Sequence, residues 1–515
     1  MENKEKFYIT TTLPYVNSNP HIGFAAEIVR ADVLARYQRL LGKEVFFNTG
    51  TDEHGLKIFR KAEEQGLTAQ QFTDQYAAKF KQLEDTLNLS FNNFIRTTDP
   101  DHIKAAQEFW KICDKKGDIY KKNYQVKYCV GCELEKSESE LENGRCPLHP
   151  NQEVEVIDEE NYFFAFSKYQ DQLLKLYSKK SDFVIPAHRL NEITKFVESG
   201  LQDFSISRLK EKLPWGVEVP GDPDHVMYVW FDALVNYISC LGWPKDQQNF
   251  EKFWPGVQVA GKDNLRQQSA MWQAMLMSAG LPVSKQVLIF GFINSGGQKM
   301  SKSLGNVIDP FELVDKYGTD SVRYFITAGL QAFEDSDFTF ERFEQKYNAD
   351  LANDLGNLVS RVLSMTEKYF AGQVPKYLVN ESKELKFDLK TDWKRFQSLL
   401  AMYKFDEALE IAWQDIRAAN AYIDQQKPWE LFSNNDTDTL ADVVYNLLET
   451  IRQVAWLIYP FLPQTSQKII EQLGYDFSQE LEKTFDQLTQ WASLPQGQKV
   501  EKGESLFPRI DLDNK

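Results

Sequence analysis

The chain has 515 residues and a formal net charge of -16 at pH 7, and this length indicates several domains rather than one core. Its 42% hydrophobic and 26% charged residues are typical of a globular protein, and no apolar run approaches the ~18 residues of a membrane span. The N-terminal segment lacks the pattern of a signal or transit peptide, so we expect a cytoplasmic protein. The acidic balance argues against a nonspecific nucleic-acid coat, but a local basic face would still allow a nucleic-acid partner.

The first part of the chain alternates predicted strands and helices. Strands are predicted over 7–12 and 45–47, with an amphipathic helix over 23–41 between them that Gly42 closes. This alternation predicts an α/β fold with a doubly wound parallel sheet. The loop 50–55 follows the second strand at its carboxyl end, where such sheets bind ligands.

The middle of the chain is polar, with short predicted strands around three clustered cysteines, and we interpret it as an insertion into the sheet. The α/β pattern resumes with predicted strands at 226–230, 257–261 and 287–290. Near residue 343 the spacing of Leu, Ala and aromatic residues changes to that of a helical bundle. The predicted divisions are 1–117 and 225–295 for the two halves of the α/β domain, 118–224 for the insertion, 296–342 for a connector, and 343–515 for the helical domain with its tail.

Two short motifs together predict a nucleotide site. Pro20, His21 and Gly23 lie where the first strand passes into the helix, and a histidine at a helix N-terminus suits phosphate binding. Glycine has no Cβ, so Gly23 lets an adenine ring approach the backbone. A second loop carries two lysines that can neutralise a leaving pyrophosphate. Each motif alone is more often a turn or a solvated loop. The second loop comprises Lys299, Met300, Ser301, Lys302 and Ser303.

A third motif predicts a metal site. Cys129 and Cys132 are separated by two residues, and so are Cys146 and His149 after a further thirteen. Two such pairs match the spacing of tetrahedral zinc sites. Four protein ligands leave no open position, so the zinc would be structural. The alternative is two hairpins with free thiols.

The two nucleotide motifs, in this order, resemble those of class I aminoacyl-tRNA synthetases. Segments 12–15 and 50–55 resemble the methionyl-tRNA synthetase family in particular, and the resemblance covers nearly the whole chain. It implies a split Rossmann catalytic domain, a zinc-bearing insertion and a C-terminal α-helical anticodon-binding domain. It also implies activation of methionine with ATP to methionyl adenylate, with release of pyrophosphate, and transfer of the methionyl group to the 3' end of tRNA(Met). Mg²⁺ would accompany the ATP, and one zinc per chain would lie near the tRNA acceptor end.

The resemblance assigns roles to individual residues. The catalytic residues would be His21, Lys299 and Lys302. ATP would be bound by Pro20, His21, Gly23, Lys262, Asp263, Lys299, Met300, Ser301, Lys302 and Ser303. Methionine would be bound by Thr12, Leu13, Tyr15, Asp52, Trp230, Ala233, Tyr237 and Gln268, with Asp52 pairing with the ammonium. The anticodon would be bound by Asn357, Arg361, Pro428 and Trp429.

The sequence departs from the family pattern at two positions. Phe24 stands where the family often has a histidine that contacts ATP phosphate, and Gln268 stands where it commonly has a histidine at the methionine pocket. Two alternatives therefore remain, a catalytically silent paralogue and an enzyme of the same fold for another amino acid. The insertion is too small to hold a separate editing domain of the kind seen in larger relatives. We expect a monomer, because the chain ends soon after the bundle.

Overall fold

The computed structural model describes residues 4–136, 140–300, 305–377 and 389–511. Its strands are β1 (Lys6–Thr10), β2 (Glu44–Thr51), β3 (Asn93–Arg96), β4 (Ile119–Cys129), β5 (Leu134–Lys136), β6 (Glu155–Phe164), β7 (Val184–Ile185), β8 (Phe204–Ser205), β9 (Ser207–Leu209), β10 (Glu218–Val219), β11 (Asp222–Met227), β12 (Val257–Gly261), β13 (Gln286–Phe290), β14 (Ile293–Ser295), β15 (Gln298–Lys299) and β16 (Ser336–Phe338).

The helices of the α/β part and the insertion are α1 (Ile22–Leu40), α2 (Leu56–Glu64), α3 (Ala69–Thr86), α4 (Pro100–Lys115), α5 (Gln170–Lys179), α6 (Ala187–Glu198), α7 (Val229–Ala233), α8 (Asn236–Ser239), α9 (Gln247–Phe253) and α10 (Trp272–Ala279). Those that follow are α11 (Pro310–Tyr317), α12 (Thr319–Tyr324), α13 (Phe340–Lys346), α14 (Asn357–Phe370), α15 (Leu389–Ala401), α16 (Phe405–Gln426), α17 (Pro428–Ser433), α18 (Thr437–Ile458), α19 (Pro463–Gln472), α20 (Phe477–Glu480) and α21 (Phe485–Thr489). Short 3-10 turns span Phe166–Tyr169 and Lys262–Asn264, and π-helical turns span Gln267–Met271, Phe325–Gly329 and Tyr347–Gly356. Among the described residues, no helix is long and apolar enough to cross a membrane.

The central sheet has six parallel strands in the order β3-β2-β1-β12-β13-β7. From β1 the next strands, β2 and β3, are added on one side, and from β12 the next strand, β13, is added on the other side. The strand order therefore reverses between the neighbours β1 and β12. Ile9 pairs with Val257 across this point. In doubly wound sheets the reversal leaves a crevice at the carboxyl ends of the strands, where ligands bind.

The α/β prediction from the sequence is confirmed, with one correction. The strands predicted near 7–12, 45–47, 257–261 and 287–290 are β1, β2, β12 and β13, and the predicted first helix is α1. The strand predicted at 226–230 is wrong, because β11 ends earlier and pairs antiparallel with β9 and β10 in a separate sheet. The rest of that run begins α7. A short buried apolar run has no periodicity that separates strand from helix.

The cysteine-bearing segment forms an antiparallel sheet of its own, in the order β5-β4-β6-β8. Its long strands β4 and β6 pair from Ile119 with Phe164 to Tyr128 with Glu155. The chain then returns to the central sheet, where β7 adds an edge strand beside β13. The sequence did not predict this return, since β7 comprises only two residues.

The helical part is joined to the α/β part through a buried arginine on α12. Arg323 is fully buried and donates to the Asp32 carboxylate of α1 at 2.7 Å. It also donates to the carbonyls of Leu87 and Phe461, at 3.0 Å and 2.7 Å. One guanidinium thus connects α1, the loop after α3 and the loop after α18. A buried charge is tolerated only when paired and hydrogen-bonded in this way.

Candidate active site

The candidate site is a cavity of about 430 Å³ at the carboxyl ends of β1 and β12. Its walls come from the loops after these strands, the first turn of α1, helices α7 and α8, and the hairpin β14–β15. Of the residues predicted to bind ATP or methionine, those that line it are Thr12, Leu13, Tyr15, Pro20, His21, Gly23, Asp52, Trp230, Ala233, Tyr237, Asp263, Gln268, Lys299 and Met300. Lys262 lies beside the cavity and pairs with Asp335 at 2.7 Å. Ser301, Lys302 and Ser303 lie outside the described residues.

His21 is the N-cap of α1, and its ring turns back onto the helix. Its Nδ1 accepts a hydrogen bond from the backbone N–H of Gly23 at 3.0 Å. An imidazole nitrogen that accepts has no proton, so we place the ring proton on Nε2. Burial, and then the nearby charge of Lys299, lower the pKa of His21. The ring is therefore a neutral donor beside the helix N-terminus, which suits a phosphate oxygen.

Gly23 is required by the position of this ring. A Cβ at residue 23 would lie 2.8 Å from Cε1 and 2.9 Å from Nδ1 of His21. Carbon atoms pack at about 3.5–4.0 Å, so an alanine there would push the imidazole away. The sequence predicted a glycine for the approach of a ligand, and the structure adds an intramolecular reason.

Lys299 lies at the end of the hairpin β14–β15. Gly296 and Gly297 form its turn with φ of +61° and +74°, a backbone that favours glycine. The Lys299 ammonium lies 5.2 Å from the centre of the Phe292 ring, and that of Lys262 lies 4.5 Å from the same ring. Cations are attracted to an aromatic face. The ring therefore holds two positive charges beside the cavity.

Asp52 provides a buried carboxylate at the end of β2. It is 2% exposed, and its backbone N–H donates to the Pro14 carbonyl at 3.0 Å. Within the described residues, its Oδ1 has no hydrogen-bond partner, and neither has the Tyr15 hydroxyl or the Trp230 indole N–H. Burial, and then the neighbouring Asp232, raise the pKa of Asp52 well above its usual range. Unsatisfied buried polar groups are costly, so this cluster is suited to a polar, cationic ligand group.

The Tyr237 hydroxyl in the cavity is oriented by a glutamine. Gln268 donates from Nε2 to the Tyr237 hydroxyl at 2.6 Å, and its Oε1 accepts from Gln258 at 3.2 Å. Both Tyr237 and Gln268 are almost fully buried. Since the phenol oxygen accepts from the amide, its own proton is available to a ligand. The surrounding wall is apolar and aromatic, which suits a thioether.

Two buried features of the site were not predicted from the sequence. Glu27 lies one turn into α1 and accepts hydrogen bonds from the backbone N–H and hydroxyl of Thr12 at 2.9 Å and 2.5 Å. Burial raises the pKa of Glu27 to about 8. His54 and Asp232 form a buried pair at 2.8 Å. One sequence signal could have identified Glu27: it is an acidic residue on the buried side of the helix, four residues after Gly23.

Phe24 lines the same cavity, but its side chain cannot form a hydrogen bond. Its ring packs edge-on against Phe80 with centroids 5.3 Å apart. The phosphate contact of a histidine at this position is therefore absent from the site, and His21 is the imidazole at this helix N-terminus.

The predicted metal ligands converge. The ligand atoms of Cys129, Cys132, Cys146 and His149 all lie within 4.8 Å of one another. His149 Nδ1 is 3.2 Å from Cys132 Sγ and 3.7 Å from Cys129 Sγ. A Cβ at Gly131 would lie 2.5 Å from the His149 ring. Tetrahedral zinc bonds of about 2.0–2.3 Å place ligand atoms at similar separations, so these residues fit a metal ion.

The predicted anticodon residues lie together at one end of the helical part. Asn357 begins α14, and Arg361 on the same helix pairs with Asp424 near the end of α16 at 2.7 Å. Helix α17 follows, beginning with the buried Pro428, and Trp429 is 46% exposed. An exposed tryptophan offers a surface on which a base can stack.

Family sequence profiles match along most of the chain. The profile described as "tRNA synthetases class I (M)" matches residues 7–152 and 131–363. The profile described as "Anticodon binding domain of methionyl tRNA ligase" matches residues 376–515. The two matched regions therefore cover the α/β part with its insertion, and the helical part.

Individual relatives agree with these profiles. A methionine–tRNA ligase from Thermotoga maritima is 43% identical over 98% of this chain and 80% of its own length. One from Synechocystis is 42% identical over 98% of both chains. The solved structure of Mycobacterium tuberculosis methionyl-tRNA synthetase in complex with methionyl-adenylate is 37% identical, with a TM-score of 0.93 over 98% of this chain and 100% of that one. This chain belongs to the methionyl-tRNA synthetase family of the class I tRNA synthetases.

Proposed function

We propose that this chain is a methionine–tRNA ligase. It activates methionine with ATP, releasing pyrophosphate, and transfers the methionyl group to the 3' end of tRNA(Met). The observation that carries this proposal is one cavity in which His21, Asp52, Tyr237 and Lys299 meet at the strand-order reversal of the sheet. His21 supplies a hydrogen-bond donor for a phosphate oxygen, and Asp52 supplies an acceptor for an ammonium group. Tyr237 supplies a hydrogen-bond donor for a thioether sulfur, and Lys299 supplies a positive charge.

The part of the cavity that binds the amino acid recognises both the ammonium group and the side chain of methionine. The ammonium lies against Asp52, whose Oδ1 then gains the partner that no described residue supplies. The side chain enters between Leu13, Trp230 and Ala233 and meets the Tyr237 hydroxyl. A cationic ligand next to a buried carboxylate lowers the pKa of that carboxylate, so binding of methionine favours the charged form of Asp52.

The first chemical step needs no protein base. A methionine carboxylate oxygen bonds to the α-phosphorus of ATP, and the bond from that phosphorus to the pyrophosphate oxygen breaks. Catalysis then consists of alignment and stabilisation of charge on the phosphates. His21 donates from Nε2, and Lys299 with Lys302 neutralises the leaving pyrophosphate. Mg²⁺ bound with the ATP would further neutralise the phosphate charge.

The second step joins the activated amino acid to RNA. A hydroxyl oxygen of the terminal adenosine bonds to the acyl carbon, the bond from that carbon to the phosphate oxygen breaks, and AMP leaves with the bonding electrons and takes up the hydroxyl proton. The leaving phosphate remains beside His21. At the far end of the molecule, Asn357, Arg361 and Trp429 read the anticodon by edge hydrogen bonds and stacking.

The cysteine and histidine cluster holds one structural zinc. Three thiolates and an imidazole match the donor set that zinc prefers, and four protein ligands leave no position for a substrate. Zinc stabilises the fold of a segment with a small core. The cluster also borders the cavity, since Cys132 and His149 are among its lining residues. This position supports a role near the acceptor end of the tRNA.

The test is ATP–pyrophosphate exchange without tRNA, run with a panel of amino acids. Exchange that depends on methionine and is much weaker with leucine or cysteine is the expected result. Exchange with another amino acid would contradict the assigned substrate. Absence of exchange with every amino acid, from folded and metal-loaded protein, would favour a silent paralogue, for which Phe24 is the one supporting feature.

A further inference from the structure

Helix α2 begins just after the loop that carries Asp52, and its first turn is capped from the insertion. Its N-cap residue, Gly55, has no side chain and a φ of +111°. The backbone N–H of Lys57, in the first turn, donates instead to Glu133 Oε1 at 2.8 Å. A Cβ at Gly55 would lie 3.2 Å from that oxygen. Glu133 therefore takes the place that the side chain of an ordinary N-cap residue occupies.

The insertion fixes the direction of the Glu133 carboxylate. Glu133 directly follows the metal-ligand position Cys132, is 2% exposed and has a left-handed backbone with φ of +50°. Its second oxygen accepts a hydrogen bond from the hydroxyl of Tyr128 on β4. A non-glycine residue in this conformation is held by its surroundings, here by the knuckle and by β4.

Two further contacts join the same elements. Lys57 donates from Nζ to the Gly131 carbonyl at 3.2 Å. Arg60 forms a two-point pair with Glu155 at 2.6 Å and 3.2 Å. The Arg60 pair is exposed, and exposed pairs contribute little. The buried contact through Glu133 is therefore the principal one between α2 and the insertion.

The loop between β2 and α2 is held in its middle and at its two ends. In its middle, the Glu53 N–H donates to the Thr97 hydroxyl at 2.9 Å, and His54 pairs with Asp232 at 2.8 Å. Its first end is fixed to the loop after β1, because the Asp52 N–H donates to the Pro14 carbonyl and the Asp52 carbonyl accepts from the Val16 N–H. Its second end is the turn at Gly55, which Glu133 caps. The Asp52 Oδ1 has no partner among the described residues, so the direction of this carboxylate is set by the loop backbone.

We infer that Glu133 is a positioning residue for the amino-acid substrate. By capping α2 it fixes the loop in which Asp52 receives the ammonium, so the insertion contributes to methionine binding as well as to contacts with RNA. This inference rests on the proposed function. It assigns no contact between Glu133 and the substrate.

The test compares E133A and E133Q with the unmodified protein. Loss of an N-cap weakens a helix start by an amount equivalent to about 3- to 30-fold in an equilibrium. We therefore expect E133A to raise the KM for methionine in ATP–pyrophosphate exchange about tenfold, with the KM for ATP and kcat within about twofold. Glutamine keeps an acceptor for the Lys57 N–H, so E133Q should remain within about threefold. Calorimetric titration with methionine alone should give the same ranking of dissociation constants.

Controls separate positioning from misfolding. Glu153 is a glutamate of the same insertion whose side chain is 88% exposed, so E153A should match the unmodified protein. Zinc content should be unchanged in E133A, and its thermal unfolding should remain a single cooperative transition. If E133A does not fold, Y128F replaces it, because this change removes only the hydroxyl that orients Glu133, and a two- to threefold rise in the methionine KM is expected.

Two results would overturn the inference. One is a methionine dissociation constant for E133A equal to that of the unmodified protein. The other is an equal loss for methionine and ATP while zinc is retained. Absence of methionine-dependent exchange in the unmodified protein would instead contradict the proposed function, so the two failures are distinguishable.

Discussion

Replacing Gly23 by alanine should disable catalysis without unfolding the protein. The new Cβ would lie 2.8 Å from His21 Cε1, whereas carbon atoms pack at about 3.5–4.0 Å. The imidazole must therefore move by about 0.7 Å or more, and it loses the hydrogen bond from Gly23 at 3.0 Å. A misplacement of about 1 Å at a reacting centre costs about 10²-fold in rate. We expect kcat for ATP–pyrophosphate exchange to fall by about that factor.

The stability of the same variant should change little. Alanine is favoured over glycine inside a helix by about 0.5–1 kcal/mol, and a lost hydrogen bond costs about 1 kcal/mol. The two terms oppose each other, so the free energy of unfolding should stay within about 1 kcal/mol of the unmodified value. Urea titration followed by circular dichroism measures it.

A double-mutant cycle tests the cause. If Gly23 matters only because it accommodates His21, G23A should have no further effect in an H21A background. Additive losses in the double variant would show that residue 23 acts on the substrate directly. Wild-type exchange in G23A would refute the account of the His21 position.

Three further predictions concern the rest of the site. Y237F should lower the preference for methionine over norleucine about tenfold, because the two substrates differ only in the sulfur and the variant lacks the hydroxyl that donates to it; an unchanged preference would remove Tyr237 from the recognition of sulfur. E27Q should flatten the pH dependence of the unfolding free energy. The pKa of Glu27 in the folded protein is about 8, against an ordinary value of 4.5. Between these two pH values the folded state holds a proton that the unfolded state has lost. The folded state therefore loses stability as the pH rises through this range, at up to about 1.4 kcal/mol per pH unit. Urea titrations at pH 5, 6.5 and 8 measure the slope, and equal slopes in both proteins would contradict the burial of a protonated Glu27. W429A should raise the KM for tRNA(Met) about 5- to 100-fold, the equivalent of one stacked base, and leave ATP–pyrophosphate exchange unchanged; equal aminoacylation kinetics would exclude stacking on this residue.

The sequence predicted those parts of the site that depend on local pattern. His21 and Gly23 could be placed at a helix start because a strand, a turn and an amphipathic helix follow one another within a short segment. The metal ligands could be paired because their spacing is set by two tight turns. Asp52 could be placed at the cavity because the carboxyl ends of parallel strands share one edge.

The remaining features depend on contacts between distant segments. The run 226–230 was assigned to a strand over its whole length, because a short buried apolar run has no periodicity that separates a strand from a helix. Only the pairing of β11 with β9 shows where the strand ends. Glu27 belongs to no sequence motif, since its role follows from the packing of α1 against the segment after β1. Glu133 is one acid among many in a polar insertion. Its role became visible only through the cap of α2.

The most direct test of the account is a crystal structure of the protein with a stable sulfamoyl analogue of methionyl adenylate. We predict the ammonium within hydrogen-bond distance of Asp52, the thioether sulfur beside the Tyr237 hydroxyl, and the sulfamoyl group beside His21 Nε2. Binding in the opposite direction, or with the amino-acid side chain outside the cavity next to Gln268, would contradict the assignment of this site to methionine activation.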